Sequence, residues 1–289
     1  MTEVTCVALP NRALLSLQGE EAAGFLNALV SNDVTGLQPG QAAYAALLTP
    51  QGKFLHDFLV TPDPHRPGLL LDVAADRLPD LQRRLTLYRL RAKVGIQPVE
   101  HFCCYAAFGD GLPNLTGAPA FPDPRLPALG WRIWAPCNAP PSHLSDAVAY
   151  EAHRLALGVP DGARDIEIEK GILLENHFEA LNGVDFRKGC YIGQELTART
   201  KYRGLVKKQL HIVQAESGAA LPPAGTLVTL DGAEAGEMRS SLNGTGLALL
   251  RLEAVAKTES DGKKLEAGGL ALRVRRPDYA GPPPESGKA

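Results

Sequence analysis

The chain has 289 residues, 45% of them hydrophobic, enough to bury more than one core, so two or three domains are expected. A formal net charge of −2 excludes a protein that draws nucleic acid by overall charge; any anion affinity has to come from a local patch. The five cysteines, Cys6, Cys103, Cys104, Cys137 and Cys190, are odd in number and include no C-x-x-C pair, which argues against a chelating zinc site and a disulfide framework and for a reducing compartment.

The start, MTEVTCVALPNR, has no cationic segment followed by an apolar run, and no stretch approaches the length of a membrane span. A cytoplasmic protein without membrane association is expected. Residues 13–37 open on a short apolar strand and turn at Gly19. Ala22, Phe25, Leu26 and Leu29 then recur at helical spacing, and Asn32, Asp33 and Gly36 punctuate the exit. AAYAALLTPQGKFLHDFLV reads as a hairpin around Pro50-Gln51-Gly52. DRLPDLQRRLTLYRLR (76–91) predicts an amphipathic helix with Leu78, Leu81, Leu85 and Tyr88 on one face. A strand pair is expected from KVGIQPVE to HFCCYAAFG.

Residues 109–143 are rich in Gly and Pro and predict loops around one strand, GWRIWAP. A helix is expected from after Ser145 to about Leu157, and 163–185 is mixed. From Val206 the pattern changes to five short runs separated by Gly- or Pro-bearing turns, which predicts a small β-barrel. The tail, AGPPPESGKA, has nothing to bury and is expected to be disordered.

One stretch carries chemistry: FRKGCYIGQELTARTKYRG (186–204). Gly189 and Gly193 allow a tight turn around Cys190, and QELTARTKY supplies helix formers just beyond it. A helix N-terminus with Arg187 and Lys188 alongside favours a thiolate, the form that attacks electrophiles or binds metal. Arg187, Lys188, Arg199, Lys201, Arg203, Lys207 and Lys208 face Glu195 alone, a local basic surface suited to an anion or an acidic partner. The other four cysteines read as packing residues.

This stretch resembles the signature of the YgfZ family, K-G-C-Y-x-G-Q-E followed by A-R and R-G. These are folate-binding proteins of iron–sulfur cluster assembly, related to the aminomethyltransferase (T-protein) of the glycine cleavage system. LLSLQGEEAAGFLNALVSNDV, LLTPQGKFLHDFLV and LYRLRAKVGI resemble further family segments, so the likeness runs to about residue 277. It implies an α+β fold, a three-domain ring or cloverleaf with two interleaved α+β domains and a C-terminal β-barrel. The expected domains are 1–50 with 144–205 (folate-binding, split), 51–143 (inserted) and 206–277 (barrel), with 278–289 as the tail.

The resemblance also implies roles. Tetrahydrofolate or a derivative is the implied cofactor. Glu175, in LLEN, holds the pterin, because a carboxylate accepts two parallel N–H bonds from its edge. Lys188, Arg199 and Arg203 hold the glutamyl tail, and Gln194 and Asp57 complete the folate set, with Gln194 and Glu195 alternatively capping the new helix. Cys190 is the essential thiol, as catalytic residue or as ligand of an iron–sulfur cluster shared with an A-type carrier protein. Iron–sulfur client enzymes are the further partners.

Two departures bear on activity. The aminomethyltransferases have adjacent aspartates where this chain has His56-Asp57, and a glutamate where it has Ala156. Assembly or repair of iron–sulfur proteins is therefore the leading expectation, with folate-dependent aminomethyl transfer as the alternative. A third reading, a tRNA-contacting surface suggested by the family's link to tRNA modification, ranks below both. Tyr191 and Tyr202 are the only rings among the cations.

Overall fold

The periods of the sequence set most of the elements. The computed structural model describes residues 4–111 and 119–282. The chain runs β1 (Thr5–Ala8), β2 (Arg12–Gln18), α1 (Ala22–Asn27), β3 (Ala43–Leu48), β4 (Phe54–Pro62), β5 (Gly68–Ala74), α2 (Leu78–Arg89), β6 (Gly95–Val99) and β7 (Phe102–Phe108). It continues through β8 (Ala120–Pro122), β9 (Trp131–Pro136), β10 (Leu144–Ser145), α3 (Val148–Leu157), α4 (Gly162–Asp165) and α5 (Gln194–Tyr202). The last stretch holds β11 (Lys208–Ala215), β12 (Leu227–Leu230), β13 (Ala233–Leu242), β14 (Thr245–Arg251), α6 (Leu252–Asp261), β15 (Leu265–Ala267) and β16 (Leu270–Arg275). Two units form: Met1–Tyr150 with Leu181–Gln194, and Glu151–Ala180 with Glu195–Ala289. The boundary expected at residue 50 falls in the β3–β4 turn, between strands paired from Ala43↔Val60 to Leu48↔Phe54. The Pro-Gln-Gly signal there marks a hairpin.

The first unit holds two five-stranded sheets, ordered β3-β4-β5-β2-β6 and β10-β1-β7-β9-β8. The strand pair expected from β6 to β7 does not form. β6 pairs with β2, while β7 lies between β1 and β9, so the two-residue link Glu100-His101 carries the chain from one sheet to the other. Pro98 explains the choice: it cannot donate to a ladder, and β6 is the edge strand of its sheet. β7 buries Cys104–Ala107 without a break and takes neighbours on both sides.

A second correction concerns the cysteines. Cys103 and Cys137 form a disulfide across 34 residues of sequence. Antiparallel pairing of β7 with β9 sets Cys103 opposite Ala135, so Cys137, just past the end of β9, comes within reach. A separation that long hides this adjacency from spacing arguments.

Buried charges tie the two sheets together. Arg12 on β2 donates to the Asp72 carboxylate at 2.6 Å, and Arg132 on β9 reaches the other Asp72 oxygen at 3.3 Å. Arg132 also contacts Asp123, which accepts a two-pronged bond from Arg125 at 2.9 and 2.7 Å. Burial pushes the Asp123 carboxyl up, but Arg125 and Arg132 overcome it and bring it to about 2.

In the second unit β11-β14-β13-β12-β15-β16 close into a barrel, completed by β11–β16 pairing. Val213, Val228, Met238, Ala248, Leu250 and Leu265 fill it. Five of its six strands follow from the short apolar runs of the sequence; β15 has three residues, too few for a period, and α6 lies unexpected between β14 and β15. Arg154 on α3 is this unit's buried ionic node. It donates to Asp165 at 2.8 Å and to Glu151 at 2.6 and 2.8 Å, while Asp165 accepts the Ser240 backbone N–H of β13 at 2.9 Å. The start of the expected disordered tail is ordered: Asp278–Ala280 form a 3-10 turn, and the Tyr279 hydroxyl donates to the Gly158 carbonyl at 2.7 Å. Residues 283–289 lie outside the described residues.

Removing one member of a buried ion pair leaves the other charge uncompensated. Arg154→Met is expected to lower the unfolding free energy by about 3–5 kcal/mol, read from urea denaturation.

Candidate functional site

The loop that carries Cys190 is held by its backbone and by one lysine. Lys188, expected to bind a folate tail, does not face outward. Its ammonium donates to the carbonyls of Asn27, Val30 and Asn32 at 2.7, 2.7 and 2.8 Å, which uses all three of its N–H groups. Those carbonyls lie at and beyond the C-terminal end of α1, where helical partners run out and a cation is favoured. The Tyr191 ring lies 5.3 Å from the same ammonium. Burial lowers the Lys188 pKa to about 8, against the opposing pull of Asp33 and Asp185.

The segment read only as the exit of α1 meets this loop directly. The Ser31 hydroxyl donates to the Gly183 carbonyl at 2.6 Å and accepts the Ala46 N–H at 2.9 Å. The Asn32 amide donates to the Tyr44 and Asn182 carbonyls at 2.9 and 2.7 Å, and Asp185 N–H donates to the Ser31 carbonyl at 3.0 Å. SNDV and NGVDFRKGC, about 150 residues apart, are thus fastened together. The polar pair Ser31-Asn32 directly after the apolar run Ala28-Leu29-Val30 was the available signal.

Only one of the two flanking glycines is needed for conformation. Gly193 has φ of +81°, and a Cβ there would lie 2.4 Å from the Thr49 carbonyl oxygen of the β3–β4 turn. Gly189 has no positive φ, and a Cβ there would meet nothing within 4 Å. α5 begins at Gln194, four residues after Cys190, and the Gln194 side chain accepts the Tyr191 N–H at 3.3 Å, the turn-fixing alternative of the sequence reading. The two cations expected beside the thiol are directed elsewhere: Lys188 inward, and Arg187 into solvent within 3.8 Å of Asp185.

Cys190 itself is exposed. Of the other free thiols, Cys6 is half-buried and Cys104 buried, and burial raises the pKa of both. Among the described residues no group of three or more His, Cys, Asp or Glu side chains is placed to hold a metal ion.

Asp57 and His56 separate because neighbouring residues on a strand face opposite ways. Asp57, buried, accepts a hydrogen bond from the Tyr44 hydroxyl at 2.8 Å, and Tyr44 lies under the Arg125 guanidinium. His56 turns to α2 and meets Asp80 at 2.8 Å. Burial, opposed by Asp80, pushes the His56 pKa down to about 4. In the second unit Glu175 is half-buried in the 3-10 turn Leu173–Asn176. Arg199 and Arg203 are exposed four residues apart, on one side of α5 and its continuation, while Thr197 and Thr200 are buried. Lys201, in contrast, is paired with Glu179.

Comparison with known proteins extends this picture. The model of the CAF17 C-terminal β-barrel domain matches residues 207–282. The iron–sulfur cluster assembly factor IBA57, mitochondrial, of Homo sapiens is 33% identical over 95% of this chain and 85% of its own length. The protein of the same name from Mus musculus is 34% identical with the same coverage. Among solved structures, glycine cleavage system aminomethyltransferase T from Bartonella henselae aligns with a TM-score of 0.72 over 96% of this chain and 86% of its own, at 14% identity. That likeness establishes the aminomethyltransferase-like fold. The relatives are named as mitochondrial proteins, which overturns the expectation of a cytoplasmic one.

Lys188→Met is expected to lower protection of the Asp185 amide against hydrogen exchange by roughly ten- to a hundredfold, corresponding to about 1.5–3 kcal/mol for a lost charge-assisted bond. A lysine whose task was to bind a ligand would leave exchange of the ligand-free protein unchanged. The His56 shift predicts a pH dependence. Between pH 6.5 and about 4 the unfolded chain binds a proton that the folded chain refuses, so stability falls as pH falls through that window. Urea midpoints measured across it should show a shallower slope for His56→Gln.

Proposed function

Because the chain belongs to the family of IBA57 iron–sulfur cluster assembly factors, we propose that it matures iron–sulfur proteins by offering the Cys190 thiolate as one ligand of a cluster shared with a carrier protein. A role in iron–sulfur protein maturation follows from relatives matched along nearly the whole chain. The observation that carries the finer reading is the exposed thiol on a loop fixed by Lys188, Ser31 and Asn32. Clusters usually take four protein ligands, and this chain brings one accessible thiol, so a partner completes the set. An A-type iron–sulfur carrier supplies the right chemistry, and iron–sulfur enzymes are the clients.

The residues fit tetrahydrofolate in part. Glu175 brings a carboxylate suited to a pterin edge, and Arg199 and Arg203 bring exposed cations suited to a glutamyl tail, whereas Asp57 is buried and bonded to Tyr44. Lys188 and Gln194 leave the set, since both are engaged within the loop. When bound, tetrahydrofolate supplies a one-carbon acceptor. The alternative, aminomethyl transfer, is disfavoured by His56, which faces away from Asp57 and cannot replace a second carboxylate beside it.

Mixing the purified chain with an A-type carrier under cluster-forming conditions is expected to give a coloured heteromeric complex, absent for Cys190→Ser. An unchanged chromophore with the serine variant would falsify the shared-ligand assignment. Complementation of a strain lacking its YgfZ-type protein, read by iron–sulfur enzyme activities, is expected to fail for Cys190→Ser and weaken for Glu175→Ala.

A further inference from the structure

The geometry points to a second binding site, one for a phosphate group, on the outer wall of the barrel in the second unit. Strand alternation builds it. Val213, Leu272 and Val274 pack toward the barrel core, so Ile212 and Gln214 on β11 and Arg273 and Arg275 on β16 face outward. Register sets Gln214 opposite Arg273 and Ile212 opposite Arg275, with Thr245 of β14 on the other side of Gln214. α3 covers part of this wall, packing Leu155 against Ile212 and Leu247. Beside that cover lies a cavity of about 130 Å3, lined by Ala156, Ile212, Gln214, Thr245, Arg273 and Arg275. None of these residues belongs to the Cys190 loop or to the folate set.

One arginine is fixed at the wall and the other is available. Arg275 donates through one Nη to the Ala156 carbonyl at 3.0 Å and through the other to Asp278 at 2.9 Å. Ala156 lies in the last turn of α3, where carbonyls lack helical donors, so this bond holds the guanidinium at the cavity. Arg273, two residues earlier on the same face, is exposed and has no hydrogen bond or ion pair among the described residues. Across from it the Gln214 amide donates to the Thr245 hydroxyl at 3.0 Å, which leaves the Thr245 O–H and the second Gln214 N–H as donors.

Two guanidinium groups against the one carboxylate of Asp278 make this wall positive, so it selects an anion. A phosphate group has enough oxygens to take a two-pronged bond from Arg273 and still meet Thr245 and Gln214, whereas a carboxylate has only two. The size agrees. A cavity of about 150 Å3 holds the six heavy atoms of benzene, so this one admits the five of a phosphate group. Ala156, Gln214, Arg273 and Arg275 are exposed, so a ligand enters from solvent without disturbing the core.

Backbone amide signals of the 15N-labelled full-length protein report the site. Titration with sodium phosphate near neutral pH, at ionic strength held constant with sodium chloride, is expected to move the Gln214, Thr245 and Arg273 signals saturably. Sodium chloride alone is expected to leave them in place. Arg273→Gln, at an exposed position, should weaken binding by about three- to fivefold. Ala156→Glu puts a carboxylate at the cavity from the exposed side of α3 and should abolish binding while the amide spectrum elsewhere stays dispersed. Ribose 5-phosphate separates the sources: tighter binding than phosphate identifies an ester and weaker binding the free ion, and both carry the site. Shifts that do not saturate, shifts that chloride reproduces, or an affinity unchanged by Arg273→Gln or by Ala156→Glu overturn the assignment.

Discussion

A half-buried ammonium and three backbone carbonyls, at and just beyond the end of a short helix, solve each other's problem, and the cysteine loop depends on that exchange. α1 is six residues long and ends without a glycine cap, so its last carbonyls need donors. Lys188 is taken partly out of water, which weakens its hold on its proton. Three carbonyls at hydrogen-bond distance stabilise the charged form without a carboxylate that would neutralise it. Ser31 and Asn32 add bonds from the same turn, so the backbone from Asn182 to Lys188 is fixed by the protein alone. The position of Cys190 is then a property of the fold, present before any ligand or partner arrives.

A second constraint works at longer range. Arg12, Asp72, Arg132, Asp123 and Arg125 alternate in sign between the two sheets of the first unit, and Tyr44 extends the series from Arg125 to Asp57. Such a series adds little net stability compared with apolar packing, because each ion loses its water. It does discriminate between registers, since a slip of one residue would turn each charge toward the wrong face. That choice of register sends Asp57 to Tyr44 and His56 to Asp80.

The sequence was legible where a period or a local motif carried the information. The β3–β4 hairpin, α2, α3 and most of the barrel follow from spacing, and the family likeness anticipated the aminomethyltransferase-like fold and the assembly role. What it did not carry was which distant partner a residue meets. Lys188 reads as a surface cation beside Arg187, yet its acceptors are carbonyls 156 to 161 residues earlier, invisible to any pattern of side chains. Cys103 and Cys137 become neighbours only through β7–β9 pairing. β6 and β7 look like a hairpin from their two-residue spacing, and only Pro98 hinted otherwise. His56 and Asp57 are adjacent in sequence, and the strand period sends their side chains to different partners.

These placements bear on what Cys190 does. A thiol nucleophile needs a base or a nearby cation to hold its thiolate. Lys188 is spent on the backbone and Arg187 points into solvent. A cluster ligand has different needs: the metal itself stabilises the thiolate, and the residue must be exposed and held at a fixed place so that a second protein can approach. Cys104, buried in β7, could not meet a partner without unfolding its sheet. Cys190 meets both requirements, because it projects from a loop whose ordering the fold has already accomplished. On the proposed ligand role, the clamp at Lys188 makes complex formation depend on surface fit rather than on folding of the loop.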